Sequence, residues 1–328
     1  MRDHFAYSSE GRPEGQAFEE YAHLYSHGSD VTRGDGPFHA RVRAWRHHGF
    51  ILFDRFMTGL VHSRDARVTT DGYAHLVAHA MLEGELDWSE PDGGKTARAG
   101  DILFMDTTQP SRTMPREAHL LTVSIGRHLV EPATGPVGPL HGRLVSPPAT
   151  LLLTDFLVSL AHRAPMLPDD GSPVYSRVLA ELISAVLFGD AASGSAARRL
   201  HAARLDAVER CIASSLGDRR LSAETIAAAA GLSRSGLYRL LQDRGGVARL
   251  IRTRRLQAVR SAIDNGTEAT LAELAHACGF ASESHMSRQF HEAFGCPPGA
   301  YRRMVQGLAD DDALKGYRRW QGWMGTLR

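Results

Sequence analysis

Two stretches near the C-terminus, Leu221 to Gln242 and Thr270 to Phe294, follow one plan of short helix, glycine turn and second helix, and this duplication limits the possible folds more than any other feature. In the first copy Ile226, Ala229 and Ala230 form an apolar face, Gly231 breaks the helix, and Leu237, Leu240 and Leu241 resume the face. In the second, Leu271, Leu274, Ala275 and Cys278 fall at helical spacing and Gly279 turns the chain. Met286, Phe290 and Phe294 then make the next stripe at i, i+4, i+8. Gly231 and Gly279 hold equivalent places, so the repeat is about 48 residues long. A helix over roughly 199–216 precedes the first copy, and one over about 247–264 joins the two, ended by Asn265-Gly266. Eighteen residues at 1.5 Å rise span about 27 Å, close to the roughly 34 Å between successive major-groove faces on one side of duplex DNA. The connector can hold two recognition helices in adjacent grooves.

Charge supports a nucleic-acid partner for this half alone. Residues 1–197 carry 17 Arg+Lys against 24 Asp+Glu, whereas residues 198–305 carry 17 against 10, although the whole chain has a net charge of only +1. A basic domain beside an acidic one is expected when one half neutralises phosphates and the other does not. At 328 residues and 43% apolar content the chain suits two folded domains, which excludes a disordered effector. No run of 18 or more apolar residues occurs and the N-terminus has no signal core, so a cytoplasmic protein with no membrane partner is expected. Cys211, Cys278 and Cys296 are odd in number and widely spaced, which suits small buried apolar residues better than a disulfide framework or a zinc site.

Residues 1–36 are polar and rich in Gly, Asp and His, and read as a loosely held arm. Over 37–188 the pattern begins with short strands. Val42 to Trp45, Gly49 to Phe53, Ala74 to Leu82 and Asp101 to Met105 are candidates, with Asp71-Gly72 and Gly93-Gly94 as turns. Strands so closely spaced suggest a barrel or sandwich. Helical stretches over 149–163 and 174–188 follow, each apolar over a broad face. Residues 189–198 have a linker's small, polar composition, 199–305 form an all-α domain, and 306–328 are a tail of unread purpose. The fold class is therefore α+β in two domains.

The repeats resemble the AraC/XylS family of bacterial transcription regulators. The first helix-turn-helix of that family is matched by Leu221 to Leu241. The second match is more specific: Ala275-His-Ala-Cys-Gly-Phe-Ala-Ser-Glu-Ser-His-Met-Ser-Arg-Gln-Phe290, Phe294-Gly-Cys-Pro-Pro298 and Tyr301-Arg-Arg303, over a resemblance running from about Ala203 to Met304. Thr270-Leu-Ala-Glu273 has the form of a capping box, and Ser233 and Ser282 stand where N-caps would start the recognition helices. With the apolar stripes inward, Ser235, Tyr238 and Arg239 point outward from the first recognition helix, and Ser284, His285 and Arg288 from the second. These six are candidate base contacts, since arginine can donate bidentately to guanine. The resemblance gives Arg239 and Arg288 the positions that most often reach base edges. Arg234, Arg252, Arg254, Arg255, Arg302 and Arg303 are placed as phosphate contacts that set register. Gly236 early in the first recognition helix, and Gly245-Gly246 after it where the family usually has proline, mark that copy as the less rigid.

Residues 38–130 are similar to the cupin-like barrel that serves as a sensing domain in this family, most clearly at Gly100-Asp-Ile-Leu-Phe-Met-Asp106. A metal-dependent cupin enzyme fused to a DNA-binding domain is the alternative, but His75 and His79 on one strand face stand about 13 Å apart, too far to share an ion. No metal, no cofactor and no catalysis are expected. Arg43, Trp45, His75, His79 and Arg112 are the candidate contacts for a small-molecule effector. The resemblance implies an aromatic or carboxylated effector, a homodimer formed through the helices over 149–163 and 174–188, and RNA polymerase as a partner of an activator. An effector-independent DNA binder is the third reading.

Overall fold

The computed structural model describes residues 4–25, 28–65, 73–90, 93–167, 173–189, 196–242, 245–264 and 266–307, with Trp323 and Leu327. The expected Asp71-Gly72 turn, Asn265 and most of the 189–198 and 306–328 segments lie outside them. The chain divides into two compact units: the described residues from 4 to 189 form the first, with Leu327, and those from 196 to 307 the second, with Trp323.

The first unit is an antiparallel sheet with helices against it. Its elements in order are β1 (His4–Ser8), α1 (Glu14–Tyr25), β2 (Asp30–Arg33), β3 (His39–His47), β4 (Phe50–Thr58), β5 (Leu60–Arg64), β6 (His75–Glu90), β7 (Gly93–Arg98), β8 (Ile102–Asp106), β9 (Ser111–Gly126), α2 (Arg127–Thr134), β10 (Arg143–Val145), α3 (Leu151–Arg163) and α4 (Pro173–Phe188). The strand order is β1-β3-β4-β9-β6-β8-β10, with β2 and β5 attached through β9 and β7 attached to β6. Strands β6 and β9, 16 residues each, are the spine, and their register shifts between Met81 and Glu85. Gly84 marks that bulge: at φ +72 a Cβ would lie 2.1 Å from the Glu117 carbonyl oxygen, so only glycine fits.

The two ends of this order, β1 and β10, do not pair, so the expected closed barrel is corrected to a bent open sheet. Bulges curve a sheet, and closure further requires a consistent stagger around the ring. The arm expected over 1–36 is also ordered where it is described. Ala17, Tyr21, Leu24 and Tyr25 are buried at i, i+4, i+7, i+8 on α1, an amphipathic stripe that the surrounding Gly, Asp and His content masks. One sheet face, with Phe50, Leu52, Leu76, Ala78, Ala80, Leu121, Val123 and Ile125, packs with Leu153, Leu157, Leu179 and Ile183 of α3 and α4. Helix α1 lies against the opposite face, where Tyr21 Oη stands 3.0 Å from Met57 Sδ.

The second unit is helical: α5 (Ala196–Ser214), α6 (Ala223–Ala229), α7 (Arg234–Leu240), α8 (Val247–Asp264), α9 (Leu271–Ala277), α10 (Glu283–Phe294) and α11 (Pro298–Gly307). It has two apolar cores, and α8 contributes to both. Its first half gives Val247, Leu250 and Ile251 to a cluster with Leu205, Val208, Ile212, Ile226, Leu237 and Leu241. Its second half gives Leu256, Val259 and Ile263 to a cluster with Leu274, Phe280, Met286, Phe290 and Tyr301.

Candidate nucleic-acid interface and sensing face

Each helix pair is fixed by local chemistry before any ligand is considered. Ser222 Oγ accepts from the Thr225 N–H at 3.3 Å, and Thr225 Oγ1 accepts from the Ser222 N–H at 2.9 Å, a capping box that starts α6. Ser233 Oγ accepts from the Gly236 N–H at 3.1 Å and starts α7. In the second pair Thr270 Oγ1 accepts from the Glu273 N–H at 3.2 Å while the Glu273 carboxylate accepts from the Thr270 N–H at 2.7 Å. Ser282 Oγ accepts from the His285 N–H at 3.2 Å and starts α10. The turns need Gly231 and Gly279, at φ +63 and +74, and Gly279 is further confined because a Cβ would stand 2.7 Å from the Leu216 carbonyl oxygen.

Burial of Leu237 and Leu241 on one side of α7 leaves Arg234, Ser235, Tyr238 and Arg239 exposed on the other. On α10, burial of Met286 and Phe290 leaves Ser284 and Arg288 exposed. Arg239 and Arg288 have no hydrogen bond or ion pair among the described residues. His285 departs from the expected outward position: it is half-buried, edge-on to Phe280, with Nε2 2.8 Å from the Gln289 amide nitrogen. Its place one residue before Met286 turns it toward the flank of the core rather than away from it.

The six arginines expected on phosphates separate into two groups. Arg252 and Arg303 are exposed, and Arg234 makes a solvated pair with Glu224 at 3.2 Å. The other three guanidinium groups are held by the protein. Arg254 donates to both Glu209 carboxylate oxygens at 3.0 and 2.9 Å. Arg255 donates to the carbonyls of Leu216 and Asp218 at 3.1 and 2.7 Å, and Arg302 to that of Ala269 at 2.7 Å. Helix α8 packs into two cores and therefore meets neighbours on several sides, so its arginines cannot all face solvent.

In the first unit the five expected effector contacts are not brought together. Arg43 and Trp45 lie on the face that packs with the helices, where Trp45 is buried and the exposed Arg43 pairs with Asp54. His75 and His79 project from the opposite face and are buried. Arg112 sits at a third place, in a surface hollow of about 380 Å³ with Trp88 and Lys95. Around the histidines the structure adds residues that the sequence reading passed over: Tyr21, Tyr25, Arg55, His62 and Thr122. Tyr21 Oη lies 2.9 Å from His62 Nε2, and His79 Nδ1 lies 2.8 Å from Thr122 Oγ1. Burial lowers His62, His75 and His79 to about 3, so all three rings are neutral at physiological pH. The overlooked signal was Asp54-Arg55 inside Phe50-Ile-Leu-Phe-Asp-Arg-Phe-Met57. Adjacent strand residues face opposite ways, so covering both faces must bury a charge. Among the described residues, no three histidine, cysteine or carboxylate side chains stand close enough to hold a metal ion, and no helix is long and apolar enough to cross a membrane.

These features define a helical unit built on two pairs of short helices, α6–α7 and α9–α10, each turned at a glycine. Residues 226–304 match the family described as a helix-turn-helix domain. The chain is similar to the transcriptional activator NphR of a Rhodococcus species, 35% identical over 100 residues, which span 30% of this chain and 30% of that relative. The fold is similar to that of the AraC-like transcriptional activator CuxR, at 19% identity and a TM-score of 0.53 over 77% of this chain and 93% of that one. An AraC-type regulator from Chromobacterium violaceum aligns over 31% of this chain and 91% of its own at 27% identity and a TM-score of 0.30. The family match lies within the second unit, and the chain spans about 30% of the length of the curated relative it matches.

Proposed function

We propose that this protein is a sequence-specific transcription activator in which α7 and α10 enter successive major grooves and a small-molecule effector acts through the first unit. The observation that carries the reading is the presentation of Arg239 and Arg288, exposed and without a hydrogen-bond or ion-pair partner among the described residues, by helices that precede and follow the single α8 strut. Ser235, Tyr238, Arg239, Ser284 and Arg288 would read base edges, with His285 at the margin, and Arg234, Arg252 and Arg303 would contact phosphates. A good bidentate arginine–guanine pair is worth about 1–3 kcal/mol. Selection of bound fragments from genomic DNA, followed by titration with Arg239→Ala and Arg288→Ala, tests this. Each variant should lose affinity on the selected site while both keep the wild-type melting temperature. Absence of any preference for a chromosomal segment over random duplex would overturn the proposal.

Pairing of two copies through α3 and α4 follows from their exposed apolar residues, Leu152 at 73%, Val158 at 44% and Val178 at 39%. A two-fold dimer would present four recognition helices to a repeated operator. RNA polymerase is the partner an activator requires. Sedimentation across a concentration series tests the pairing, and Leu152→Glu should shift the equilibrium to monomer.

A further inference from the structure

Arg55 is the group in this molecule whose environment is least accounted for. Its residue is 9% exposed, and its guanidinium carries five N–H donors. Among the described residues its side chain makes no hydrogen bond and no ion pair; Nε is fully buried and unpartnered, and the guanidinium lies by aromatic rings, Phe53 at 4.5 Å and Tyr25 at 5.6 Å. Ring faces attract a cation but supply no directional acceptor for its donors. The carboxylate next in sequence, Asp54, faces the other side of the sheet, where Arg43 and His119 engage it. Burying an ion without a counter-charge costs several kcal/mol, and folded proteins almost always satisfy such groups. The described residues offer this guanidinium no acceptor.

The surroundings narrow its chemistry. His62 and His79 are neutral, so the site offers one positive charge rather than the two or three that a phosphate dianion would need. The planar fork of a guanidinium matches a carboxylate bidentately. Phe53, Tyr25 and Met57 line the same sheet face as Arg55 and provide apolar surface for the remainder of a ligand. We propose that Arg55 anchors the carboxylate of a small effector whose apolar body lies between α1 and this sheet face. The inference deepens the reading of the first unit as a sensor and rests on it, while leaving the DNA-binding reading untouched.

The test uses the full chain with benzoate, octanoate and acetate as probes, their uncharged amides as controls and inorganic phosphate as the competing anion. Melting curves and the Arg Nε–H resonances of protein labelled with nitrogen-15 arginine are the readouts. At least one carboxylate should raise the melting temperature saturably and shift the Arg55 resonance, whereas its amide and phosphate should not. Arg55→Met should melt higher than wild type without ligand, by on the order of 2–4 °C or more, because it removes the uncompensated charge. It should also lose the carboxylate response and keep DNA binding in the absence of ligand. Arg55→Lys, which keeps the charge and loses the fork, should weaken the response about tenfold. Silence of both readouts toward all three carboxylates would overturn the proposal, as would equal responses to acids and amides, or a carboxylate response retained in Arg55→Met. Loss of DNA binding by wild type would instead count against the regulator reading, so the two failures are separable.

Discussion

Replacing Arg254 by alanine separates a stabilising arginine from a DNA-contacting one. Arg254 joins α8 to α5 through two charge-assisted hydrogen bonds to Glu209, at 3.0 and 2.9 Å, and the two side chains are 15% and 19% exposed. Breaking a fully buried pair costs about 3–5 kcal/mol, and an exposed pair contributes about 0–1. At this intermediate burial about 2–3 kcal/mol is expected. For a helical unit of this size that corresponds to a fall of roughly 8–12 °C in melting temperature. Differential scanning calorimetry of Arg254→Ala, Glu209→Gln and the double variant checks the figure, and the cycle should return a coupling of about 1–3 kcal/mol. Arg288→Ala should melt as wild type does. If Arg254→Ala leaves the melting temperature unchanged and instead lowers the salt dependence of DNA binding, the arginine contacts phosphate and the structural role assigned to it is wrong.

Arg239→Ala and Arg288→Ala should each weaken specific DNA binding by about 1–3 kcal/mol, or roughly 5- to 150-fold, in fluorescence anisotropy titrations on the selected site. Thr270→Ala removes half of a capping box and should cost about 1 kcal/mol in urea unfolding, with no change in the slope of the transition. Phe290→Ala empties a fully buried position and should cost about 3–5 kcal/mol; a loss below 1 would show that the second core is not packed as described. Acid should destabilise the first unit early. Burial lowers His62, His75 and His79 to about 3 and His47 to about 4, so between pH 6.5 and those values the unfolded chain binds protons that the folded chain does not. Stability should therefore be unaffected by these groups above pH 6.5 and fall steadily below it. A melting temperature that stays flat between pH 7 and 5 would contradict the burial of these rings.

The helical half was legible because its signals are local. Stripes at i, i+4, glycine turns and serine or threonine caps are each written within a few residues, and α6, α7, α9 and α10 follow them closely. What escaped were the partners of long side chains. Nothing near Arg254 or Arg255 reveals that one meets Glu209 and the other the carbonyls of Leu216 and Asp218, dozens of residues away. In the first unit the four strand candidates largely coincide with β3, β4, β6 and β8, whereas β1, β2, β5, β7, β9 and β10 were not expected, and Gly93-Gly94, expected as a turn, opens β7; β9 is the longest of the six. Its segment Ser111-Arg-Thr-Met-Pro-Arg-Glu117 carries a proline and several charges that look unlike a strand, yet it pairs with β5 and β6. The candidate effector contacts scatter for a related reason. Alternation gives each residue a side of its strand, but only the long-range order of the strands shows that Trp45 and His79 end up on different sides of one sheet.

Helix α8 has a mechanical corollary. Because both cores grip the same continuous helix, adding one alanine near its middle would advance everything beyond by 1.5 Å and swing it about 100° around the axis. The second helix pair would then be turned by about that angle relative to the first, while each half kept its own packing. With α7 and α10 in successive grooves, as proposed, the spacing of the bases they read would be set by the length and pitch of this one rod, and such a variant should lose the wild-type site without losing its fold.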